Sequence, residues 1–317
     1  MSIKQATSRT VQCLIVLGMA GLCRPALAQD SEKLETGEPV TATEQGAQRL
    51  PFQVFAGGSY QAQTDVDHGG EFSLARFRTG LGIPVRFNDQ FTLATSLKYE
   101  LASYSFGNKV DPWHNINTLS GAALLKYKID EHWLVYGGPA FRFSAESGSG
   151  WDNAKQGGGL IAVNYTMNDK LSFGGGLFGM SQIENSFQVL PILTANWKFA
   201  DNWKLNLGFT DLATSGYGVG VSWDYRPEWQ FTFGGQMNKS RFRIDGKGAT
   251  SDGVGQDQSV TLTVAASWTP CKFATGTVFV GIAAGGELRL EDSTGHKLSS
   301  ENYDPAPIFG LKADLRF

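Results

Sequence analysis

The stretch PIFGLKADLRF, residues 307–317, decides the fold. Every second side chain in it is apolar: Pro307, Phe309, Leu311, Ala313, Leu315 and Phe317. The alternate side chains are Gly310, Lys312, Asp314 and Arg316, with the apolar Ile308 as the exception. A period of two indicates a β-strand whose two faces meet different environments. The C-terminus is therefore predicted to be a strand with one apolar face and one polar face.

The same alternation recurs through the chain from Phe52 to Phe317. Clear examples are FTLATSLKYEL at 91–101, YGVGVSWDYR at 217–226 and WQFTFGGQMN at 229–238. Counting every such run predicts fourteen strands, with twelve as the alternative. They are expected to begin near residues 52, 72, 91, 115, 133, 158, 171, 186, 203, 217, 229, 258, 277 and 307.

Two kinds of connection separate these runs. Short polar turns occur at 88–90, 130–132, 168–170, 201–202 and 226–228, with a looser turn at 269–276. Longer polar connections lie between them, at 63–71, 107–114, 145–157, 182–186, 211–216, 245–257 and 291–305. Short and long connections that alternate strictly are typical of a transmembrane antiparallel up-and-down β-barrel. An even number of strands places both chain termini on the side of the short turns.

A soluble β-sandwich also alternates, but two features favour the transmembrane barrel. The apolar face is nearly uninterrupted in strand after strand, whereas the other face is polar instead of core-like. Aromatic side chains also cluster beside the short turns, where they would form an interfacial girdle. The predicted girdle residues are Phe91, Tyr127, Trp133, Trp197, Trp203, Tyr225, Trp229 and Trp268.

The N-terminus has the pattern of a cleaved secretory signal peptide over residues 1–28. Lys4 and Arg9 precede an apolar segment from Val11 to Cys23, and small residues stand at the cleavage positions before Gln29. Residues 29–50 are polar and contain no aromatic side chain, so we expect a flexible periplasmic arm. The barrel is then predicted over residues 51–317.

Composition excludes two other classes of protein. The 317 residues carry 27 Lys and Arg against 30 Asp and Glu, a net charge of −3, which disfavours binding to nucleic acid. No apolar run reaches the ~20 residues of a membrane-spanning helix. Removal of residues 1–28 would leave Cys271 as the last of three cysteines, so no internal disulfide is expected.

With its signal peptide and alternating strands, the chain resembles a bacterial outer-membrane β-barrel protein. Its last strand resembles the sorting signal that the barrel assembly machinery reads in that class, and the matching residues are Leu311, Ala313, Leu315 and Phe317. The resemblance implies the outer membrane of a Gram-negative bacterium, among lipid and lipopolysaccharide. It also implies periplasmic chaperones and the assembly machinery as partners during biogenesis. Size and strand number look closest to small porins or to an uncharacterised barrel family.

If the apolar face contacts lipid, the other face lines the lumen. Its predicted basic residues are Arg76, Arg78, Arg86, Lys98, Lys126, Lys128, Arg142, Lys198, Lys204, Lys312 and Arg316. Its predicted acidic residues are Glu100, Asp224 and Asp314, and the remaining acid is assigned to the arm and to loop residues such as Asp257 and Glu291. A ring of one charge at a constriction selects counterions. The lumen therefore predicts a passive channel for small solutes that favours anions.

Two alternatives stay open. A closed structural or interaction barrel would present its outer loops to partners, and an inward-folded plug would favour it. A lipid-modifying enzyme would need a Ser nucleophile beside a His, and no Ser follows His114, the histidine near the outer rim, at short spacing. We therefore expect no catalytic residue, no metal site and no cofactor.

Overall fold

The described part of the chain folds into one closed β-barrel. The computed structural model describes residues 48–49, 51–107, 111–210, 216–246 and 250–317. The predicted signal peptide and all but Gln48 and Arg49 of the predicted arm lie outside the described residues. The strands are β1 (Gln48–Arg49), β2 (Gln53–Asp65), β3 (Glu71–Arg86), β4 (Phe91–Gly107), β5 (Asn115–Lys128), β6 (Trp133–Glu146), β7 (Lys155–Asn168), β8 (Leu171–Gln182), β9 (Asn185–Ala200), β10 (Trp203–Thr210), β11 (Gly216–Arg226), β12 (Trp229–Arg243), β13 (Val254–Cys271), β14 (Ala274–Glu291), β15 (Lys297–Tyr303) and β16 (Ala306–Arg316).

Fourteen of these strands, β2–β14 and β16, form the barrel wall. Each pairs antiparallel with its neighbours, and β16 pairs with β2 to close the ring. A closed ring has no edge strand, which is what a sheet surrounded by lipid requires. The prediction of fourteen strands is confirmed, and the alternative of twelve is wrong.

Two short strands extend the wall. The two residues of β1 pair with Arg86 and Val85 at the end of β3. Strand β15 pairs with β14 and occupies seven of the fifteen residues in the segment 291–305 that was predicted as a loop. The one helical element among the described residues is a 3₁₀ turn over Trp151–Ala154.

The barrel has two unlike ends, here named the turn end and the loop end. At the turn end, short connections join β3 to β4, β5 to β6, β7 to β8, β9 to β10, β11 to β12 and β13 to β14. Phe317 also lies there, where its ring stacks on that of Phe52 at 5.0 Å. The remaining connections lie at the loop end.

Asx side chains fix three of the short turns in the same way. The side-chain oxygens of Asn88, Asp130 and Asn168 each accept two backbone N–H groups, from the second and third residues that follow, at 2.8–3.0 Å. Such bonds satisfy donors that the strand ladder leaves open. The backbone N–H groups of Trp133 and His132 lower the pKa of Asp130, because they stabilise its charged form.

The outward face of the wall is apolar around the ring. Leu193, Phe233 and Val278 point outward and are 61%, 59% and 60% exposed. Side chains this exposed and this apolar suit a lipid surrounding, and they form the outward band of a transmembrane barrel. Ile308, the exception in the last strand, points inward and packs with Phe279 and Ala265.

Candidate functional site

A direct contact between β6 and β12 divides the interior at the loop end. Arg243 forms a parallel bridge with Ala145, although five strands, β7–β11, separate β6 from β12 around the ring. The bridge therefore separates two spaces. The inner compartment is enclosed by β12–β16 and β2–β6, and the side compartment is bounded by β7–β11.

An apolar core fills the inner compartment. Its buried side chains are Phe72, Leu74, Ala102, Tyr104, Trp113, Ile116, Phe242, Ile244, Leu288 and Tyr303. The ring of Trp113 makes edge contacts with those of Phe242 and Tyr104, with 5.2 and 5.9 Å between the ring centres. The rings of Phe72 and Tyr303 make a similar contact at 4.9 Å. Packed rings at these distances leave no room for a column of water. The inner compartment is a plug made by the wall and its loops.

A buried polar layer lies directly beside this core. The carboxylate of Asp257 accepts hydrogen bonds from Arg76 at 3.1 Å, from the hydroxyl of Tyr104 at 2.7 Å and from that of Tyr303 at 3.1 Å. Glu100 lies 3.8 Å from Arg76 on the other side. The assignment of Asp257 to a loop was wrong: it lies on β13, where the strand pairing continues above the apolar band.

Two buried arginines secure the bridge from its other side. Arg241 makes a two-pronged ion pair with Glu291 and donates to the carbonyl of Ile183 at 2.9 Å. Arg243 pairs with Glu184 and donates to the carbonyl of Asn153 at 3.0 and 3.1 Å. Glu291 was also expected in a loop, but it ends β14 and is buried. These pairs tie the β8–β9 turn to β12 and β14.

The side compartment differs in its packing. None of the buried apolar clusters among the described residues contains a side chain from β7–β11. Its inward side chains include Leu160 and Phe178, which are partly exposed, and Leu190, which is exposed. The side compartment is therefore less tightly packed with apolar side chains than the inner compartment.

A seam runs along the wall of the side compartment between β9 and β10. Pairing of the two strands stops at Leu207 and Ala195, so the loop-end part of β9 has no ladder to β10. The hydroxyl of Tyr217 on β11 reaches across and donates to the carbonyl of Leu193 at 2.7 Å. It also accepts the N–H of the same residue at 3.1 Å. One phenol thus replaces part of the missing ladder.

The predicted lumen residues fall into a paired and an unpaired group. Lys204 pairs with Asp224 at 2.6 Å and Lys312 with Asp314 at 2.9 Å. The ammonium groups of Lys98 and Lys312 lie 5.7 and 5.1 Å from the centre of the Phe55 ring, and Arg78 is buried. Six of the predicted lumen cations form no ion pair with a described residue: Arg86, Lys126, Lys128, Arg142, Lys198 and Arg316.

Most of the unpaired cations lie at the turn end. Arg86, Lys128, Lys198 and Arg316 are each within three residues of the end of their strand, on the inward positions of the alternation. They form a basic ring around the mouth of the lumen.

The other predicted residues lie on the outer surface. Six of the girdle residues are exposed near the turn end, namely Trp133, Trp197, Trp203, Tyr225, Trp229 and Trp268, while Phe91 and Tyr127 are partly exposed and stack on each other at 4.7 Å. The four residues of the predicted assembly signal, Leu311, Ala313, Leu315 and Phe317, alternate along β16 and beyond it.

His114 lies at the loop end near two carboxylates. Its Nε2 is 3.1 Å from Asp111 and its Nδ1 is 3.5 Å from Glu146. Glu146 also accepts the backbone N–H groups of His114 and Asp245 at 2.7 and 3.0 Å. This arrangement joins two loops to the end of β6.

Two other kinds of feature are absent from the described residues. Within the described ranges, no helix has the length and hydropathy needed to cross a membrane. Nor do three or more His, Cys, Asp or Glu side chains of the described chain come together in a group that could hold a metal ion.

The closed wall and its apolar outward band decide the fold class. The fold is that of an outer-membrane β-barrel protein. No protein-family model matches the sequence. No curated protein matches it either.

Several solved structures share this general architecture. One is an outer membrane channel from Pseudomonas putida F1, with a TM-score of 0.47 and 10% identity over 88% of this chain and 100% of that chain. For a FadL homologue from Pseudomonas aeruginosa, the TM-score is 0.45 and the sequence identity is 10%, over 84% of this chain and 90% of that chain. For the KdgM porin, solved with disordered oligogalacturonate, the TM-score is 0.34 and the sequence identity is 11%, over 83% of this chain and 99% of that chain.

Proposed function

We propose that the protein is an outer-membrane channel that passes small solutes through the side compartment and favours anions. The observation that carries the proposal is the surplus of unpaired cations on the inward face. Six inward basic side chains form no ion pair with the described residues, whereas Asp224 and Asp314 are both paired with lysines. The fixed charge left over in the lumen is therefore positive.

A positively charged lumen discriminates between solutes by their charge before they reach its narrow part. The basic ring at the turn end attracts anions and repels cations over roughly a Debye length, about 8 Å at physiological salt. The plug in the inner compartment narrows the remaining route. A narrow and positive route suits small anionic solutes.

The location in the outer membrane is part of the same proposal. Short turns in such barrels face the periplasm and longer loops face outside. The turn end with the basic ring would then be the periplasmic mouth. The predicted signal peptide, the assembly signal at 311–317 and the partners they imply remain predictions.

Planar-bilayer recording of the refolded protein in a salt gradient tests the proposal. We expect discrete current steps and a reversal potential on the anion-selective side. Neutralising Arg86 and Arg316 to Gln should move the reversal potential toward zero. Replacing Lys272 with Gln removes one charge from a turn outside the lumen, so this control variant should leave the potential unchanged. Cation selectivity would overturn the proposal.

A second candidate is favoured by the plug. The apolar core of the inner compartment is what a non-conducting barrel would use to stabilise loops that bind a partner outside the cell. A folded, heat-modifiable barrel that shows no current in the same recording would support this candidate over the channel.

A further inference from the structure

Arg142 stands apart from the other arginines near the plug. Arg76, Arg241 and Arg243 each reach a carboxylate within hydrogen-bonding distance. Arg142 has no carboxylate of a described residue within 4.0 Å, although Glu100 acts on its charge from farther away, and its one hydrogen bond runs from Nη2 to the hydroxyl of Ser240 at 3.3 Å. Its Nε–H is buried and has no partner. A guanidinium that is withdrawn from water normally has an anion beside it.

The residue opposite Arg142 also has an unused polar atom. Gln156 on β7 is in register with Arg142 on β6, and both occupy inward positions of the alternation. Its amide nitrogen donates to the carbonyl of Ser181 at 3.2 Å, but its side-chain oxygen is buried without a partner. A buried donor and a buried acceptor without protein partners are rare in native structures, and both remain able to bond to a solute. Both lie one residue from the loop-end limit of the β6–β7 pairing, at Phe143 and Lys155, which is here called the fork.

Along β7, the inward face next to this fork carries first a glycine and then an apolar side chain. The next inward positions along β7 are Gly158 and Leu160. Leu160 is in register with Phe178 on β8, and Phe178 is in register with Leu190 on β9. Leu160 lies four residues from Gln156, about 13 Å along the strand. A solute held at Arg142 would therefore lie over glycine and reach an apolar surface.

We propose that Arg142 binds the carboxylate of a small monocarboxylate whose apolar part lies on Leu160 and Phe178. The inference deepens the proposed function, since it names the class of anion that the channel takes. One guanidinium supplies one positive charge and two parallel donors, which match one carboxylate. Glu100 and Asp257 lie in the adjacent polar layer, and their negative charge disfavours a polyanion there.

Calorimetric titration of the purified barrel in detergent with hexanoate tests the site without depending on conduction. We expect saturable binding that weakens at least tenfold in Arg142→Gln and in Leu160→Gln. The first variant removes the charge, and the second makes the apolar surface polar at a lumen position where packing is loose. Lys272→Gln, which removes a charge from a turn, should bind as the unaltered protein does.

Acetate separates the two halves of the site. It carries the carboxylate without the tail, so we expect it to bind at least tenfold more weakly than hexanoate. Hexanoate binding that is absent, or that is unchanged in Arg142→Gln, would overturn the site, and equal affinities for acetate and hexanoate would overturn its apolar half. Should Arg142→Gln fail to fold, Leu160→Gln alone decides. Binding without current would uphold the site and reject the channel.

Discussion

The ion pair between Arg241 and Glu291 gives the sharpest test of how the loop end is closed. Both side chains are buried to 4% exposure or less, and the carboxylate takes two hydrogen bonds from the guanidinium. Replacing Glu291 with Gln keeps the shape but removes the negative charge. The charge of Arg241 is then left buried without its carboxylate, although the carbonyl of Ile183 and the amide oxygen of the substituted side chain can still accept hydrogen bonds. Breaking a buried pair from one side costs about 3–5 kcal/mol.

Equilibrium urea unfolding of the barrel in lipid vesicles, followed by tryptophan fluorescence, measures this loss. With a denaturant slope of about 1–3 kcal/mol per molar urea, the midpoint should fall by roughly 1–5 M. The matched control is Asp152→Asn, which breaks the exposed pair with Lys155 at 2.7 Å and should leave the midpoint unchanged. Replacing Arg241 and Glu291 together with Met should restore most of the stability, because no unpaired charge remains. A midpoint for Glu291→Gln that matches the control would refute the reasoning.

Three further predictions concern the seam, the arm and one outer turn. Tyr217→Phe removes two hydrogen bonds from the β9 backbone, so the free energy of unfolding in urea should fall by about 1–3 kcal/mol. The control Tyr225→Phe, at an exposed position, should leave it unchanged. Equal losses in the two variants would contradict the role of the seam. Deleting residues 29–50 should raise single-channel conductance if the acidic arm rests in the basic ring, and unchanged conductance would reject that idea. The hydrogen bond from the side chain of Thr294 and the backbone N–H groups of the same turn lower the pKa of Asp292 from 3.8 to about 2. The charged carboxylate of Asp292 therefore stabilises the turn above pH 3.8, and this stabilisation is lost as the pH falls toward 2. Carboxyl ¹³C NMR measures this pKa, and an ordinary value would contradict the turn geometry.

The wall of the barrel could be predicted from the sequence because its signal is local. Alternation depends on neighbours two residues apart, and the short turns carry their own Asx residues. The predicted starts at 91, 115, 133, 171, 203 and 229 match the strands of the structure. Where the strands continue past the apolar band, their outward side chains become polar, as with Gln256 and Gln258 on β13. That change resembles a loop, so β13 was predicted to start at 258 instead of at Val254.

The plug could not be predicted because its contacts are far apart in the sequence. Arg243 meets Ala145 across the lumen, and no pattern in either strand indicates the other. The inward Phe72 and Leu74 share the parity of Arg76, so alternation alone assigns all of them to a lumen wall. Their apolar character at inward positions was the available signal. It distinguishes a packed core from a wet lumen only when the opposing side chains are known.

The route through the side compartment is the central claim, and thiol labelling tests it directly. With Cys271 replaced by Ser, a cysteine at Leu190 would lie in the side compartment and one at Leu74 would lie in the plug, since Leu190 is 44% exposed and Leu74 1%. During planar-bilayer recording, a negatively charged methanethiosulfonate should react with the cysteine at 190 faster than its positively charged counterpart and should reduce the current. The cysteine at 74 should stay unreactive in the folded barrel. Reaction at 74 with none at 190, or faster reaction with the cation, would contradict an anion-favouring route along β7–β11.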